Sequence, residues 1–325
     1  MRAGANLPAV GGYNQAVVLD AIRRAPDGIS RVEVAERTGL SAQTVSNVCR
    51  RLIDLGLVRE AGTQASGVGK PRTMLQLEPR GSFALGVHLD PSVTTVVLLD
   101  LAGTVVEHRT IATPAPSHAA ATIERIAQVA VEVTAAAGIP ARRLLGAGIA
   151  APGPVDVDNG MVLNPPLLAG WSNVPVRDEL ATALGLPVLL EKDVTAAAVA
   201  ELWTHTDAER GNMVFFYYGT GVGAGLVVQN EVLRGVSSNA GDIGHLIIAD
   251  DRPSASSGGR RRRLGDAVMP RFLVEDAVER GLFDTGESDG RRQGTTLGTA
   301  RMRQLFVALA AAADDGDPVA GELLD

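Results

Sequence analysis

From Asn14 to Arg24, Val17, Val18, Ala21 and Ile22 recur at helical spacing and predict an amphipathic helix. Pro26-Asp27-Gly28 ends it, because neither proline nor glycine sustains a helical backbone. Ser30 and Glu33 stand at capping-box spacing before a second helix, RVEVAERT, so each can satisfy an orphan N–H of the other's turn. Gly39 suits the left-handed residue that closes a helix. Leu40 can fill the core beneath that turn, and Ser41 is placed to cap a third helix from Ala42 to about Leu55. Val45, Val48, Leu52 and Ile53 give this helix its buried face. Helix, glycine turn, helix is the helix-turn-helix arrangement, whose second helix enters the DNA major groove.

The exposed start of that helix carries the candidate DNA contacts Ser41, Gln43, Thr44, Ser46 and Asn47, with Arg50 a turn later. Gln and Asn pair bidentately with adenine, and Arg with guanine or phosphate. An ordinary solvated helix face would carry similar residues. Leu57-Val58-Arg59 and Met74–Leu77 read as short strands around a Gly/Ser loop holding Lys70 and Arg72. That is the layout of a wing, whose basic tip meets phosphates or the minor groove; a flexible loop with two incidental cations is the alternative.

Beyond residue 82 the pattern changes. Strand-like runs at Phe83–Leu89, Thr95–Leu101 and Thr104–Thr113 precede a helix near Ala119–Ala137 and a strand near Leu145–Ala151. A helix near Val176–Leu184, a strand at Pro187–Leu190 and a helix from Asp193 follow. Antiparallel strands followed by alternating helix and strand predict an α/β layer fold. Met213–Tyr218 and Leu226–Gln229 open a second unit around Gly219-Thr220-Gly221-Val222-Gly223-Ala224-Gly225. A dinucleotide fingerprint requires a helix after such glycines, whereas a strand follows here, so the segment reads as a glycine-rich hairpin.

Charge divides along the chain. Residues 1–80 hold 11 Lys/Arg against 7 Asp/Glu, and the other residues 19 against 30. A basic head on an acidic body fits contact with nucleic acid, since neutralising phosphates releases counterions. The 325 residues suit two or three domains, and 46% hydrophobic with 21% charged residues is a globular balance. Cys49 is the single cysteine, which excludes an internal disulfide and a cysteine-rich zinc site. No signal-peptide pattern and no uninterrupted membrane-length apolar run occurs, so a cytoplasmic location is expected.

The head followed in order by GIAAPGPVD (148–156), NPPLLAGW (164–171), EKDVTAAAVAE (191–201), GTGVGAG (219–225) and NAGDIGH (239–245) resembles the ROK family over about residues 14 to 315. The family contains sugar-responsive repressors and sugar kinases. The resemblance implies a winged helix-turn-helix (α+β) over 1–80, then an α/β actin/hexokinase-like, ribonuclease H-like domain over 81–325. Its two lobes divide near residue 205, and it is C-terminally short, stopping at Asp325 before the family's last strand and helices. The resemblance places Asp193 where family kinases hold the catalytic base; capping the following helix is its other role. Asp242 and His245 match the sugar-contacting segment, though a lone histidine is as readily structural.

The sequence also departs from the family. Asp90-Pro91-Ser92-Val93 replaces the phosphate segment Asp-x-Gly-Gly-Thr. Proline removes an N–H donor and valine adds bulk, so the phosphate cradle is lost. The family's zinc cysteines are replaced by Ser256-Ser257-Gly258-Gly259 and the run Arg260–Arg263, expected as a solvated loop. Without thiolates no metal is expected there. Lys192 replaces the Asn before the catalytic Asp, and Gly265 or Asp266 replaces a Glu.

The combined expectation is a DNA-binding transcriptional repressor of carbohydrate-related genes, released by a sugar or sugar phosphate. No catalytic residue and no cofactor are expected. Its partners would be an inverted-repeat operator in double-stranded DNA and a second copy of the chain, with no membrane. A hexose kinase with an added DNA-binding head is the alternative, and a constitutive DNA-binding protein without effector control a third.

Overall fold

The computed structural model describes residues 7–64, 71–113, 118–166, 168–204, 211–249, 261–283 and 299–324. Lys70 and the Ser256–Arg260 stretch lie outside the described residues.

The head runs α1 (Leu7–Arg23), β1 (Ile29–Ser30), α2 (Arg31–Thr38), α3 (Ala42–Asp54), β2 (Val58–Gln64) and β3 (Arg72–Leu77). The expected capping box is present: Glu33 N–H donates to Ser30 Oγ at 3.4 Å and Ser30 N–H to Glu33 Oε2 at 2.8 Å. Gly39 closes α2 at φ 68°. Helix α1 starts at Leu7, not near Asn14 as the periodicity predicts. Gly11 and Gly12 interrupt the apolar pattern, yet extending a formed helix through a glycine costs only about 1 kcal/mol each. β1 escaped prediction because two residues carry no readable period; it pairs Ile29 with Leu75 of β3. Val18, Ile22, Ile29, Val34, Val45, Leu52 and Leu75 fill the core together with Cys49, which the predicted buried face omitted.

Head and body join without slack. A Cβ on Gly81 would lie 2.2 Å from the Gly56 carbonyl oxygen, so two backbones touch there. Leu101 N–H donates to the Pro79 carbonyl at 2.9 Å, and the Arg143 guanidinium to the Arg80 carbonyl at 2.9 Å.

The first lobe comprises β4 (Phe83–Leu89), β5 (Val93–Asp100), β6 (Val105–Ala112), α4 (Ala119–Ala136), β7 (Leu144–Ala151), β8 (Val155–Asp156), β9 (Met161–Val162), α5 (Val176–Leu184) and β10 (Val188–Lys192). Its five-stranded sheet has the order β10-β7-β4-β5-β6, with β4–β6 antiparallel neighbours and β4, β7 and β10 parallel. Phe83, Leu85, Val87 and Leu89 alternate inward along β4 and share a core with Ile123, Ile126, Val129 and Val133 of α4. Each such fully buried side chain contributes about 1.5–3 kcal/mol.

α6 (Asp193–Thr204) leaves β10 and packs against β7 and β10 on one side and β11 (Met213–Tyr218) and β12 (Val222–Val228) on the other. β11 and β12 form the expected hairpin, extended by β13 (Glu231–Val232). Only Gly219-Thr220-Gly221 makes its turn; Gly223 and Gly225 lie inside β12, facing α6. A Cβ at Gly225 would sit 2.2 Å from the Val194 carbonyl oxygen, so these glycines admit the helix backbone.

β14 (Ile247–Ala249) pairs with β15 (Arg261–Arg263), which corrects the solvated loop expected for the arginine run. The ladder uses backbone groups, so three consecutive arginines do not prevent it. α7 (Leu264–Val268), α8 (Pro270–Glu279), α9 (Thr299–Asp314) and α10 (Pro318–Leu324) follow, with Leu273, Leu309 and Leu323 in a satellite core.

Candidate nucleic-acid interface and ligand cleft

The reading surface is built by the cap of α3. Ser41 Oγ accepts from Thr44 N–H at 3.2 Å and pairs with Thr44 Oγ1 at 2.9 Å, so both hydroxyls are engaged in starting the helix. With Val45, Cys49 and Leu52 buried, the helix turns Gln43, Asn47 and Arg50 outward; Ser46 is half-buried. Gln43 Nε2 donates to Asn47 Oδ1 at 3.2 Å, which orients both amides along one edge. Arg50 has no hydrogen bond or ion pair among the described residues, leaving its fork open to an external acceptor. Arg72 lies on β3 opposite Gln64, not in the loop where the sequence placed it, while Lys70 is outside the described residues.

Where the two lobes meet, a cleft of about 330 Å³ is lined by Asp90, Lys192, Asp193, Asp242, His245 and Asp266 among others. All three expected ligand-contacting residues, Asp193, Asp242 and His245, thus come together. Asp193 Oδ1 accepts from Val194 N–H at 2.7 Å in the first turn of α6, and the residue lines the cleft. Burial raises the Asp193 carboxyl above its ordinary value, against the Val194 hydrogen bond and the Lys192 charge. His245 Nε2 lies 3.8 Å from Asp242 Oδ2 and its Nδ1 3.4 Å from Arg263 Nη1, all on the exposed rim. Such a mouth offers carboxylates and an imidazole that can hold hydroxyl groups.

The position of the lost phosphate segment has a specific structure. Asp90, at the β4–β5 turn, accepts from Ser92 N–H at 2.8 Å, Ser92 Oγ at 2.6 Å and Val93 N–H at 3.4 Å. Its second oxygen accepts from Thr220 Oγ1 at 2.6 Å and Tyr217 OH at 3.3 Å across the cleft. Burial opposes the charged form, but the Ser92 and Thr220 hydrogen bonds outweigh it and hold Asp90 below the usual carboxylate range. The turn's own backbone donors are consumed by its own carboxylate.

Sequence reasoning did not foresee the braces across the cleft. Lys192 is buried, and its ammonium donates to the Asn239 carbonyl at 3.2 Å and the Ala240 carbonyl at 3.4 Å. Burial pushes its pKa down, while Asp242 and Asp193 pull it up. Asn239 accepts from Val155 N–H at 2.8 Å and donates to the Val155 carbonyl at 2.7 Å. Arg234 meets Glu191 at 2.8 Å. These pairs join residues 43 to 84 positions apart, so no local pattern could reveal them; the only signal was the motif NAGDIGH beginning at Asn239.

Comparisons with known proteins agree with this geometry. Residues 12–66 match the MarR family. The chain is 29% identical over 258 residues to a putative xylose repressor of Caldicellulosiruptor sp. (strain Rt8B.4), covering 79% of this chain and 64% of that protein. It is 31% identical over 176 residues to a glucokinase of Thermotoga maritima, covering 54% of each. A crystal structure of a ROK family transcriptional regulator, a homolog of the E. coli MLC protein, superposes with a TM-score of 0.72 at 26% identity. That superposition covers 97% of this chain and 76% of the other. The chain spans less than two thirds of the length of the curated relatives it matches. Its fold is a winged helix-turn-helix followed by an actin-like kinase fold, and with residues 84–261 matching the ROK family, the chain belongs to that family.

Proposed function

We propose that this chain is a DNA-binding transcription regulator, a repressor of carbohydrate-related genes whose cleft takes a sugar or sugar phosphate that releases it. The observation that carries the proposal is α3: capped by Ser41, packed through Val45, Cys49 and Leu52, and presenting Gln43, Asn47 and Arg50 on one exposed edge. That edge has the donors and acceptors that read base edges in the major groove. A putative xylose repressor among the relatives supports the carbohydrate assignment. The protein acts in the cytoplasm as a homo-oligomer on an inverted repeat, because two-fold proteins place two reading helices on matched half-sites.

Against a kinase reading stands Asp90. Ser92 and Val93 direct their N–H groups at this carboxylate, and Pro91 supplies none, so a nucleotide phosphate finds no free cradle there. Selection from random duplexes followed by footprinting tests the proposal; an enriched inverted repeat protected on both halves is expected. A coupled assay across common hexoses should show no ADP formation. Hexose-dependent ADP production abolished by Asp193→Ala would overturn the repressor assignment.

A further inference from the structure

α6 connects the cleft to the head. Its first residue, Asp193, lines the cleft, and its flanks pack on both lobes. Ten residues later, about 15 Å along the helix axis, Trp203 meets the head: the Arg23 guanidinium of α1 stacks 4.0 Å from the indole centroid. Arg23 Nη1 also donates to the Trp203 carbonyl at 2.5 Å. The guanidinium is held for this contact by Asp20, whose Oδ1 accepts from Arg23 Nε at 3.1 Å and Nη2 at 2.7 Å, while Oδ2 accepts from Arg24 at 2.8 Å. The β5–β6 turn also approaches the indole, where a Cβ on Gly103 would lie 3.4 Å from the ring. The α3–β2 turn of the head is fixed to the body separately, at Gly56 and Gly81.

We propose that α6 transmits the state of the cleft to the DNA-reading head through the Trp203–Arg23 contact, with Trp203 as its positioning residue. The inference rests on the reading of the chain as a ligand-responsive DNA-binding regulator. Three features support it. The glycine face of β12 lets the α6 backbone pack directly on the second lobe, so movement of that lobe at the cleft is imposed on the helix. A packed helix moves as a unit, since interiors are too dense to absorb displacement locally. And Arg23 closes α1, the helix that packs on both α2 and α3, so a shift at Trp203 reaches the frame that carries the reading helix.

The test is a double-mutant cycle on the full chain. Affinity for the duplex selected by the wild-type chain is measured for Asp193→Asn, Trp203→Ala and the pair. Removing the Asp193 charge at the cleft end should change affinity about five-fold or more when Trp203 is present, the lower range of allosteric coupling, and leave it unchanged in the Trp203→Ala background. Trp203→Phe, which keeps a ring for Arg23 and the backbone carbonyl, should restore the effect. Hydrogen exchange of the α1 amides near Arg23 gives the same comparison without DNA: Asp193→Asn should alter their protection only when an aromatic ring occupies position 203. If no duplex is enriched, the DNA-binding reading fails while the exchange comparison still decides the coupling. An equal effect of Asp193→Asn in both backgrounds, or no effect in either, overturns the proposal. Trp171, buried in the first lobe, reports by its fluorescence that each variant is folded.

Discussion

Replacing Gly225 with alanine should loosen the seam between α6 and the second lobe by an amount the structure fixes. The new Cβ would fall 2.2 Å from the Val194 carbonyl oxygen and 2.8 Å from Ala198 Cβ, where ordinary contact begins near 3.4 Å. Neither obstacle is the end of a flexible side chain, and Val194 and Ala198 are both buried. The helix must therefore retreat from β12 by about 1 Å, and overpacking of this kind costs about 1–3 kcal/mol. Alanine also restricts the unfolded chain, which returns about 0.4–1 kcal/mol. The overlap wins, for a net loss of about 1–2 kcal/mol. In a body of this size that lowers Tm by roughly 2–8 °C. Gly148→Ala is the control, because a Cβ there meets nothing within 4 Å. Thermal unfolding followed by circular dichroism measures both variants. If Gly225→Ala melted no lower than Gly148→Ala, the claim that glycine is needed for helix–strand approach would be refuted.

Three further outcomes are expected. Ser30→Ala removes one half of the capping box and should destabilise the head by about 0.5–2 kcal/mol, read by chemical denaturation; a change below the error of the midpoint would show that the box contributes nothing. Asn47→Ala and Arg50→Ala should each reduce discrimination between the selected duplex and a scrambled one by about 1–3 kcal/mol, whereas Arg72→Ala should weaken binding to both alike and lower the salt slope by about one unit. Asp90 is held below the usual carboxylate range, so its stabilisation is complete above its unfolded value near pH 4 and lost as pH falls through the folded value; wild-type Tm should therefore drop more steeply below about pH 4 than that of Asp90→Asn, and parallel curves would remove the carboxylate from the account.

The head was legible almost residue by residue because its determinants are local. A cap, a left-handed glycine and a helical period are each written within a few positions, as Ser30, Gly39 and Val45 show. The strands of the first lobe's five-stranded sheet were readable for the same reason, as β4 shows by alternating strictly between buried and half-buried residues, whereas the two-residue strands β8 and β9 carry no period to read. The cleft was legible only through ordered motifs, which placed Asp193, Asp242 and His245 in one site without indicating their surroundings. Thr220 and Tyr217 were read as parts of a glycine hairpin and a strand, yet they close on Asp90 from 130 and 127 residues away. The start of α1 was missed where two glycines mask a helix, and β15 where arginines disguise a strand.

Cys49 gives the head an internal stopwatch. It is the chain's single cysteine, and it lies fully buried on the inner side of the reading helix, where burial pushes the thiol above its ordinary pKa. An alkylating reagent attacks only the thiolate, so modification must wait until α3 lifts from Val18, Ile22 and Leu75. The ratio of its labelling rate to that of a free thiol is then the fraction of time the head stands open. Within these 325 residues no other side chain carries a thiol that could contribute to that signal. A single reactive atom thereby separates breathing of the head from melting of the body, two events that a bulk unfolding curve would merge, and it does so on the unmodified natural sequence.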